Sequence, residues 1–231
     1  MVSDSCRVAL MPDYPVMMRL RGRRCVVVGA GPVGVRKANT LLAAGAVVVL
    51  VDPRLESLSV PDAVEKRPRD FTEKDLEGAA LAFAATGSTE VNRSVAAAAR
   101  RRGIPVNLAD DAEESDFIVP ASFRSGGLTV AVATGGSSPA LAALVRDEIE
   151  KILPGEWAIF LEIAAKLRAR LLTSGSKTAY NQQVLRDLVS VDLLAKIAGR
   201  DEAGIDRILA TAFGSGTSLA ELGISLSKGT S

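Results

Sequence analysis

The feature that most constrains the fold is an apolar run that passes directly into a glycine-rich turn. Residues 25–28 read Cys-Val-Val-Val, and a continuous run of this kind predicts a strand that is buried on both faces. Gly29, Gly31 and Gly34 follow in the spacing G-x-G-x-x-G, and a helical pattern then extends from Val33 to Ala44. A strand, a glycine turn and a helix in this order predict the first part of a βαβ unit.

The same alternation continues for about eighty residues. Further strand-like and helical segments follow in turn: strands at 46–51, 65–69, 81–86 and 105–109, a helix that begins near Thr72, and a helix at 91–102. Strands that alternate with helices indicate a parallel, doubly wound sheet. The fold class expected is therefore α/β and Rossmann-like, with this domain spanning residues 14–115.

The pattern changes after this first domain. Strand-like segments at 116–120, 122–124 and 128–133 have no helix between them, which predicts a small antiparallel or mixed element over residues 116–150. A helical C-terminal domain is expected over residues 151–231, with helices at 157–172, 182–197 and 203–213, after one at 140–153. The Gly- and Ser-rich end, residues 214–231, is expected to fray.

Composition narrows the classes of function. The chain has 231 residues, and its 28 Lys and Arg residues nearly balance 27 acidic ones. This balance argues against non-specific electrostatic binding to nucleic acid or to an anionic membrane. There is no histidine, so the commonest acid/base and the commonest zinc ligand are both missing, and no metal site is predicted. Two cysteines form no disulfide framework, and the apolar runs are too short to span a bilayer, so we expect a cytoplasmic protein.

The glycine turn predicts a site for a dinucleotide. In this pattern Gly29 permits the tight turn, Gly31 lets the backbone approach a pyrophosphate, and Gly34 lets the helix pack closely on the strand. Asp52 ends the second strand, 23 residues beyond Gly29, where a carboxylate accepts hydrogen bonds from the adenosine ribose and repels a 2′-phosphate. We therefore expect NAD rather than NADP, although the nearby Arg54 could soften that preference. The glycine pattern also suits a domain that binds another nucleotide, such as a methyl donor, or none.

Several longer stretches carry a resemblance to a known family. From about Tyr14 to Leu172, the chain resembles the dehydrogenase/ferrochelatase module of siroheme synthase, which also occurs as a stand-alone precorrin-2 dehydrogenase. The resemblance rests on a series of stretches in the same order: Tyr14-Pro15-Val16 with Leu20-Arg21-Gly22-Arg23, the glycine turn with Arg36-Lys37, Ala84-Ala85-Thr86 with Val91-Asn92, residues 105–110, residues 117–120, and residues 130–139.

The resemblance implies an activity, a cofactor and a set of site residues. Members of the family transfer a hydride from precorrin-2 to NAD, and some also insert iron into sirohydrochlorin. By resemblance Asp110 is the catalytic residue, and the subunits form an intertwined homodimer that holds the tetrapyrrole. The expected cofactor-binding residues are Gly29, Gly31, Pro32, Val33, Gly34, Asp52 and Thr86. The expected substrate-binding residues are Thr134, Gly136, Ser137 and Ser138, and Thr134 takes the place of a family serine.

The positions of these residues agree with elementary chemistry. Asp110 follows a strand, and doubly wound sheets bind ligands beyond the carboxyl ends of their strands. The turn at residues 135–139 leads into a helix, whose free N–H groups and two serine hydroxyls suit a substrate carboxylate, while Ser138 is also a natural N-cap.

Two other functions stay open: a non-catalytic, redox-sensing NAD-binding module, and an NAD-dependent dehydrogenase of another small acid. Iron insertion is left undecided.

Overall fold

The computed structural model of the protein describes residues 13–153, 155–173, 182–190 and 192–226. The chain forms two compact units, and the boundary between them lies between Val119 and Pro120. The domain boundaries expected at residues 115 and 150 stay predictions, because contacts within one chain do not test which parts fold alone.

The first unit is built on a five-stranded parallel sheet. Its strands are β1 (Arg24–Val28), β2 (Val47–Val51), β3 (Glu65–Arg67), β4 (Leu81–Ala84) and β5 (Val106–Leu108). They lie in the order β3-β2-β1-β4-β5, and every neighbouring pair is parallel. The expected Rossmann-like, doubly wound architecture is confirmed.

Two helices cover the two faces of this sheet: α1 (Pro32–Ala43) and α2 (Thr89–Arg101). Successive side chains of a strand point to opposite faces. Val27 accordingly packs in one core with Ala38 of α1, whereas Val28 packs in another core with Val95 of α2. This is why the first strand has no polar alternation: both of its faces are buried.

The second unit combines a β-hairpin with helices. Strands β6 (Ala121–Ser125) and β7 (Leu128–Val132) pair antiparallel, as expected, and α3 (Pro139–Ile152) packs on both. The other helices are α4 (Glu156–Thr173), α5 (Gln182–Ser190), α6 (Leu193–Ala198), α7 (Glu202–Phe213) and α8 (Leu219–Leu222). Across the described residues, no helix is both long and apolar enough to cross a membrane.

The strand expected at residues 116–120 is absent from this described segment, because side chains replace the strand pairing. The Asp116 carboxylate accepts the Val106 N–H at 2.9 Å, and the Asp116 N–H donates to Val106 O at 2.9 Å. The amide of Asn107 donates to Phe117 O at 2.9 Å. The segment thereby covers the edge of β5 with one backbone and two side-chain hydrogen bonds instead of a sixth strand.

Two expectations for the C-terminal residues were wrong. The helix expected over 182–197 is divided into α5 and α6, and Asp192 before α6 has φ 68°, which a continuous helix does not allow. Residues 214–226 do not fray: α8 begins after the N-cap Ser218, and Leu219 and Leu226 are buried in the core of the helices. The residues 227–231 of the expected frayed end lie outside the described residues.

The helix start expected near Thr72 is a short 3₁₀ helix, Glu73–Leu76, with a capping box formed by Thr72 and Asp75. Asp75 is 3% exposed and accepts hydrogen bonds from the Arg69 guanidinium at 2.8 and 2.6 Å and from the Thr72 N–H at 2.9 Å. Burial alone would raise the pKa of Asp75, but the hydrogen bonds from Arg69 and Thr72 and the Arg69 charge outweigh it, so the pKa lies below its ordinary value.

We expect Asp75→Asn to lower the free energy of unfolding by about 1–3 kcal/mol at neutral pH, because a buried, hydrogen-bonded charge is lost. In the unfolded chain the carboxyl of Asp75 has its ordinary pKa of 3.8, whereas the folded carboxyl stays ionised to lower pH. The stabilisation is therefore present above that ordinary value and is lost as the pH falls through the folded pKa. Urea unfolding at several pH values measures this difference. Asp70→Asn is the control, because Asp70 is exposed; an equal loss in both variants would contradict the prediction.

Candidate functional site

Four sequence-predicted residues follow four neighbouring strands. Gly29 follows β1 directly, Asp52 follows β2, Thr86 comes two residues after β4, and Asp110 comes two residues after β5. The carboxyl ends of parallel strands lie at one edge of the sheet, so the structure brings all four to the same edge. The chain reverses its direction across the sheet between β1 and β4, which is the point where open α/β sheets form a ligand crevice.

Two of the three glycines are required by the backbone. Gly29 has φ 103°, and a Cβ built on it would lie 2.4 Å from Ala85 O, at the end of the neighbouring strand β4. A Cβ on Gly34 would lie 1.9 Å from Gly29 O. Any side chain at either position would push the glycine turn away from β4 or α1 away from the turn.

Gly31 has a different environment. A Cβ at Gly31 would meet no described atom within 4 Å, and its φ of −67° suits any residue. Gly31 is the N-cap of α1, and among the described residues no side chain caps this helix. The first turn of the helix includes Pro32 and Val33 and contains no acidic residue. The free N–H groups and positive end of α1 therefore border open space, which fits the pyrophosphate of a dinucleotide.

Asp52 connects the glycine turn to the end of β2. It is 5% exposed; its Oδ2 accepts the Ala30 N–H at 2.8 Å, and its Oδ1 accepts the Arg54 N–H at 2.8 Å. The Arg54 side chain adds two hydrogen bonds, from Nε to Oδ1 and from Nη2 to Oδ2, both at 3.2 Å. Burial opposes ionisation, but these hydrogen bonds and the Arg54 charge lower the pKa of Asp52 below its usual range.

Thr86 is held in place by a residue that sequence reasoning did not single out as functional. The Thr86 hydroxyl donates to Oδ1 of Asn92 at 2.7 Å, the Thr86 N–H donates to the same oxygen at 3.1 Å, and the Asn92 amide donates to Thr86 O at 3.3 Å. Asn92 is fully buried. A signal was available in the sequence, because Asn92 is the polar residue in a helical stripe whose other buried members are Val95, Ala96, Ala98 and Ala99.

Asp110 and its neighbour Asp111 have different partners. Asp110 is exposed, and its Oδ2 accepts a hydrogen bond from the hydroxyl of Thr89, the first residue of α2, at 3.0 Å. Its other carboxylate oxygen has no hydrogen-bond partner among the described residues. Asp111 is half-buried and its Oδ1 accepts the Glu114 N–H at 3.0 Å, which closes a local turn. Asp110 thus presents a carboxylate oxygen at this edge of the sheet, while Asp111 supports its own loop.

The expected substrate-binding residues lie in the second unit. The Thr134 hydroxyl accepts the Ser138 N–H at 3.1 Å, and the Ser138 hydroxyl accepts the Leu141 N–H at 3.2 Å as the N-cap of α3. Gly136 has φ 79°, and Ser137 is exposed. Whether this turn meets the same ligand as Asp110 stays a prediction, because the two belong to different units.

Lys37 is half-buried on α1, and its ammonium lies 5.6 Å from the centre of the Phe83 ring. Burial lowers the pKa of Lys37, and the neighbouring Arg36 lowers it further.

In the described part of the chain no group of three or more His, Cys, Asp or Glu side chains is placed to hold a metal ion.

Two family models match the chain. Residues 16–121 match the model described as NAD(P)-binding, and residues 125–152 match the model described as the central part of a sirohaem biosynthesis protein. The first match contains the glycine turn, Asp52, Thr86 and Asp110, and the first unit is accordingly an NAD(P)-binding domain. The second match contains the turn before α3.

Several related sequences are described as siroheme synthases. The chain is 37% identical to a siroheme synthase of Thioalkalivibrio sulfidiphilus over 201 residues, which are 84% of this chain and 40% of that protein. It is 42% identical to a siroheme synthase of Chromobacterium violaceum over 162 residues, which are 68% of this chain and 34% of that protein. The chain thus spans less than half the length of these relatives.

The fold also has a solved counterpart. A structure described as the precorrin-2 dehydrogenase SirC matches with a TM-score of 0.64 and 21% identity, over 85% of this chain and 98% of that one. At this identity the match shows a shared fold. The two family models and the related sequences go further and confirm the resemblance that the sequence motifs carry: the chain belongs to the siroheme synthase family.

Proposed function

We propose that the protein oxidises precorrin-2 to sirohydrochlorin, transferring a hydride to NAD and releasing a proton. The observation that carries the proposal is the position of Asp110, an exposed carboxylate at the same sheet edge as the glycine turn. The chain's relatives are siroheme synthases, and a protein of the same fold is a precorrin-2 dehydrogenase, which supports this choice of substrate.

The residues at the strand ends suit the cofactor. Gly31, Pro32 and Val33 present the N-terminus of α1 to the pyrophosphate, and Asp52 and Thr86 lie at the ends of the flanking strands. When bound, NAD supplies the acceptor for the hydride. Gly29 and Gly34 contribute through the backbone, because their missing side chains keep the turn close to β4 and α1.

The role proposed for Asp110 is to accept a proton. Oxidation removes a hydride and a proton from the substrate, and the hydride needs no protein group to receive it. The Asp110 carboxylate either takes the departing proton or holds a pyrrole N–H while the hydride leaves. The Thr89 hydroxyl occupies Oδ2 and so orients the side chain, which leaves the other oxygen for the substrate.

The substrate carries several acetate and propionate carboxylates. The turn before α3 suits one of them, because Ser137 is exposed and the helix N-terminus favours an anion. In this proposal Gly136 gives the turn its left-handed conformation, while the Thr134 and Ser138 hydroxyls hold its shape. A carboxylate of the substrate binds the backbone N–H groups and Ser137.

We further propose that the protein is a homodimer. Helix α3 carries large apolar side chains that are strongly exposed in the single chain: Leu141 is 50%, Leu144 58% and Ile152 74% exposed. Apolar surface of this kind on one helix favours association, and in a homodimer a second copy of α3 or of the hairpin covers it. The sedimentation velocity of the purified protein tests this state.

The cofactor site predicts a selective effect at Gly31. Gly31→Val places a branched side chain where the backbone borders open space, so the fold should survive while the approach of the pyrophosphate is blocked. We expect calorimetry to show NAD binding weakened at least about 100-fold, the loss of a few charged hydrogen bonds, with an unchanged unfolding midpoint. Gly155→Val is the control, since Gly155 also lies before a helix in open space. Normal NAD binding by Gly31→Val would mean that the turn has no cofactor role.

The catalytic proposal is tested at two adjacent carboxylates. Asp110→Ala should bind NAD normally and lose precorrin-2 oxidation by about 10²-fold or more, the usual contribution of a positioned proton acceptor. Asp111→Ala should keep most of its activity, because Asp111 bonds within its own loop. The assay follows the absorbance of NADH with purified precorrin-2. Near-normal turnover by Asp110→Ala would refute the assignment, and loss in Asp111→Ala alone would move it by one residue.

Adding ferrous iron or cobalt to the same variants shows whether metal insertion, if present, uses Asp110.

A further inference from the structure

We infer that the first unit has a second binding site, which takes a small oxyanion with more than one negative charge. The site is a polar cleft of about 510 Å³ beside the 3₁₀ helix at Glu73–Leu76. None of the described residues that line it belongs to the proposed cofactor or substrate site, and binding there does not depend on the proposed oxidation. Six of the lining residues are charged: the cations Arg24, Arg67, Arg69 and Lys74, and the carboxylates Asp75 and Glu77.

Strand geometry explains why the two strand arginines meet in this cleft. Arg24 lies two residues before Val26, so both side chains point to the same face of the sheet, the face that packs on α2. On β3, Glu65 and Arg67 also share a face, and Glu65 is the strand neighbour of Val49, which belongs to the same core. Arg24 reaches across β2 and donates from Nη1 to Oε2 of Glu65 at 3.0 Å.

These two arginines share one carboxylate. Arg67 donates to the same Glu65, from Nε to Oε1 at 2.9 Å, so one positive charge of the pair is left without a counter-charge. Arg24 makes one side-chain hydrogen bond, and its Nε–H is buried with no acceptor among the described residues. A buried donor without a partner costs free energy. The chain therefore satisfies this pair of guanidiniums only in part, whereas Arg69 is fully engaged with Asp75.

The excess of positive charge extends to the 3₁₀ helix. Within the described chain, the Lys74 ammonium has no hydrogen bond or ion pair. Glu73, the residue before it, is itself shared by two guanidiniums, those of Arg101 and Arg102. Glu77 is the carboxylate of the lining that no described cation binds, and it offsets one of these charges. The cleft and its border together remain positive.

The donors and the size of the cleft indicate the class of ligand. Guanidinium groups bind phosphate and carboxylate through paired N–H donors, and an ammonium adds a point charge. The volume lies within the range of small-molecule sites, roughly 300–1,000 Å³, so a single small ion fills little of it. An anion with two or more charged groups can contact both the arginine pair on the strands and Lys74 on the 3₁₀ helix. The shared chemistry is that of a multivalent oxyanion, which phosphate groups and carboxylates both supply.

The test is calorimetric titration of the purified protein with inorganic pyrophosphate and, in parallel, with citrate. Saturating NAD is present, so that the N-terminus of α1 is not open to the titrated anion. We expect one anion or both to bind with a dissociation constant of about 1 mM or lower, and the tighter of the two identifies phosphate or carboxylate as the preferred group. Raising the salt concentration should weaken the binding, because the cleft is open to solvent.

Two variants locate the site. Arg67→Ala and Lys74→Ala should each weaken the anion by about 10- to 100-fold, as expected for lost charged hydrogen bonds. Lys66→Ala is the matched control, because it removes a cation from the same strand whose side chain points to the opposite face; it should leave binding unchanged. In Arg67→Ala the Glu65 carboxylate keeps its bond from Arg24, so the unfolding midpoint, measured alongside, should stay close to that of the wild type.

Three results would overturn the inference. The first is a wild type that binds neither anion when NAD is present. The second is binding that Lys66→Ala weakens as much as Arg67→Ala does, since this would show attraction to surface charge in general. The third is binding that neither Arg67→Ala nor Lys74→Ala changes, which would place the anion elsewhere on the protein.

Discussion

The close approach of three backbone segments at Gly29 is the contact on which the first unit depends. The Gly29 N–H donates to Val51 O at 2.8 Å, and the space that a Cβ would need is filled by Ala85 O on one side. The Gly29 carbonyl in turn lies where a Cβ of Gly34 would be. This single turn therefore joins β1 to β2, β4 and α1 through backbone contacts alone. A side chain at Gly29 or Gly34 would push these segments apart.

Around this turn, a small number of buried polar groups fix the loops that follow the strands. Asp52 follows β2 and accepts the Ala30 N–H, so it holds the glycine turn. Asn92 lies on α2 and accepts the Thr86 N–H, so it holds the loop after β4. A buried polar group is costly unless its hydrogen bonds are made, so each of them specifies one loop conformation. The site thus rests on rigid supports, and Asp110 is the exposed carboxylate at the end of that supported edge.

The pairing of Asp52 with Arg54 shows how a sequence motif can have two chemical meanings. An acidic residue at the end of the second strand is a signal for NAD because a free carboxylate binds ribose and repels phosphate. In this chain the same residue also accepts hydrogen bonds from the Ala30 N–H and from the Arg54 side chain, so it anchors the glycine turn as well. Spacing alone does not show the second role, because it depends on where the Arg54 side chain lies.

The sequence by itself determined the architecture of the first unit and the location of its site. A strand apolar on both faces, a glycine turn and a helix leave few alternatives, because backbone sterics and burial act locally and recur with fixed periods. The placement of Asp52 and Asp110 at strand ends follows from the same periods. The tertiary structure alone decided the contacts between different elements and loops: Thr89 with Asp110, Asn92 with Thr86, and Asp116 in place of a sixth strand. It also ordered residues 214–226, where buried leucines among glycines and serines complete the helical core. Such contacts depend on how separate elements pack together, and packing energies are shared among many residues that no local pattern contains.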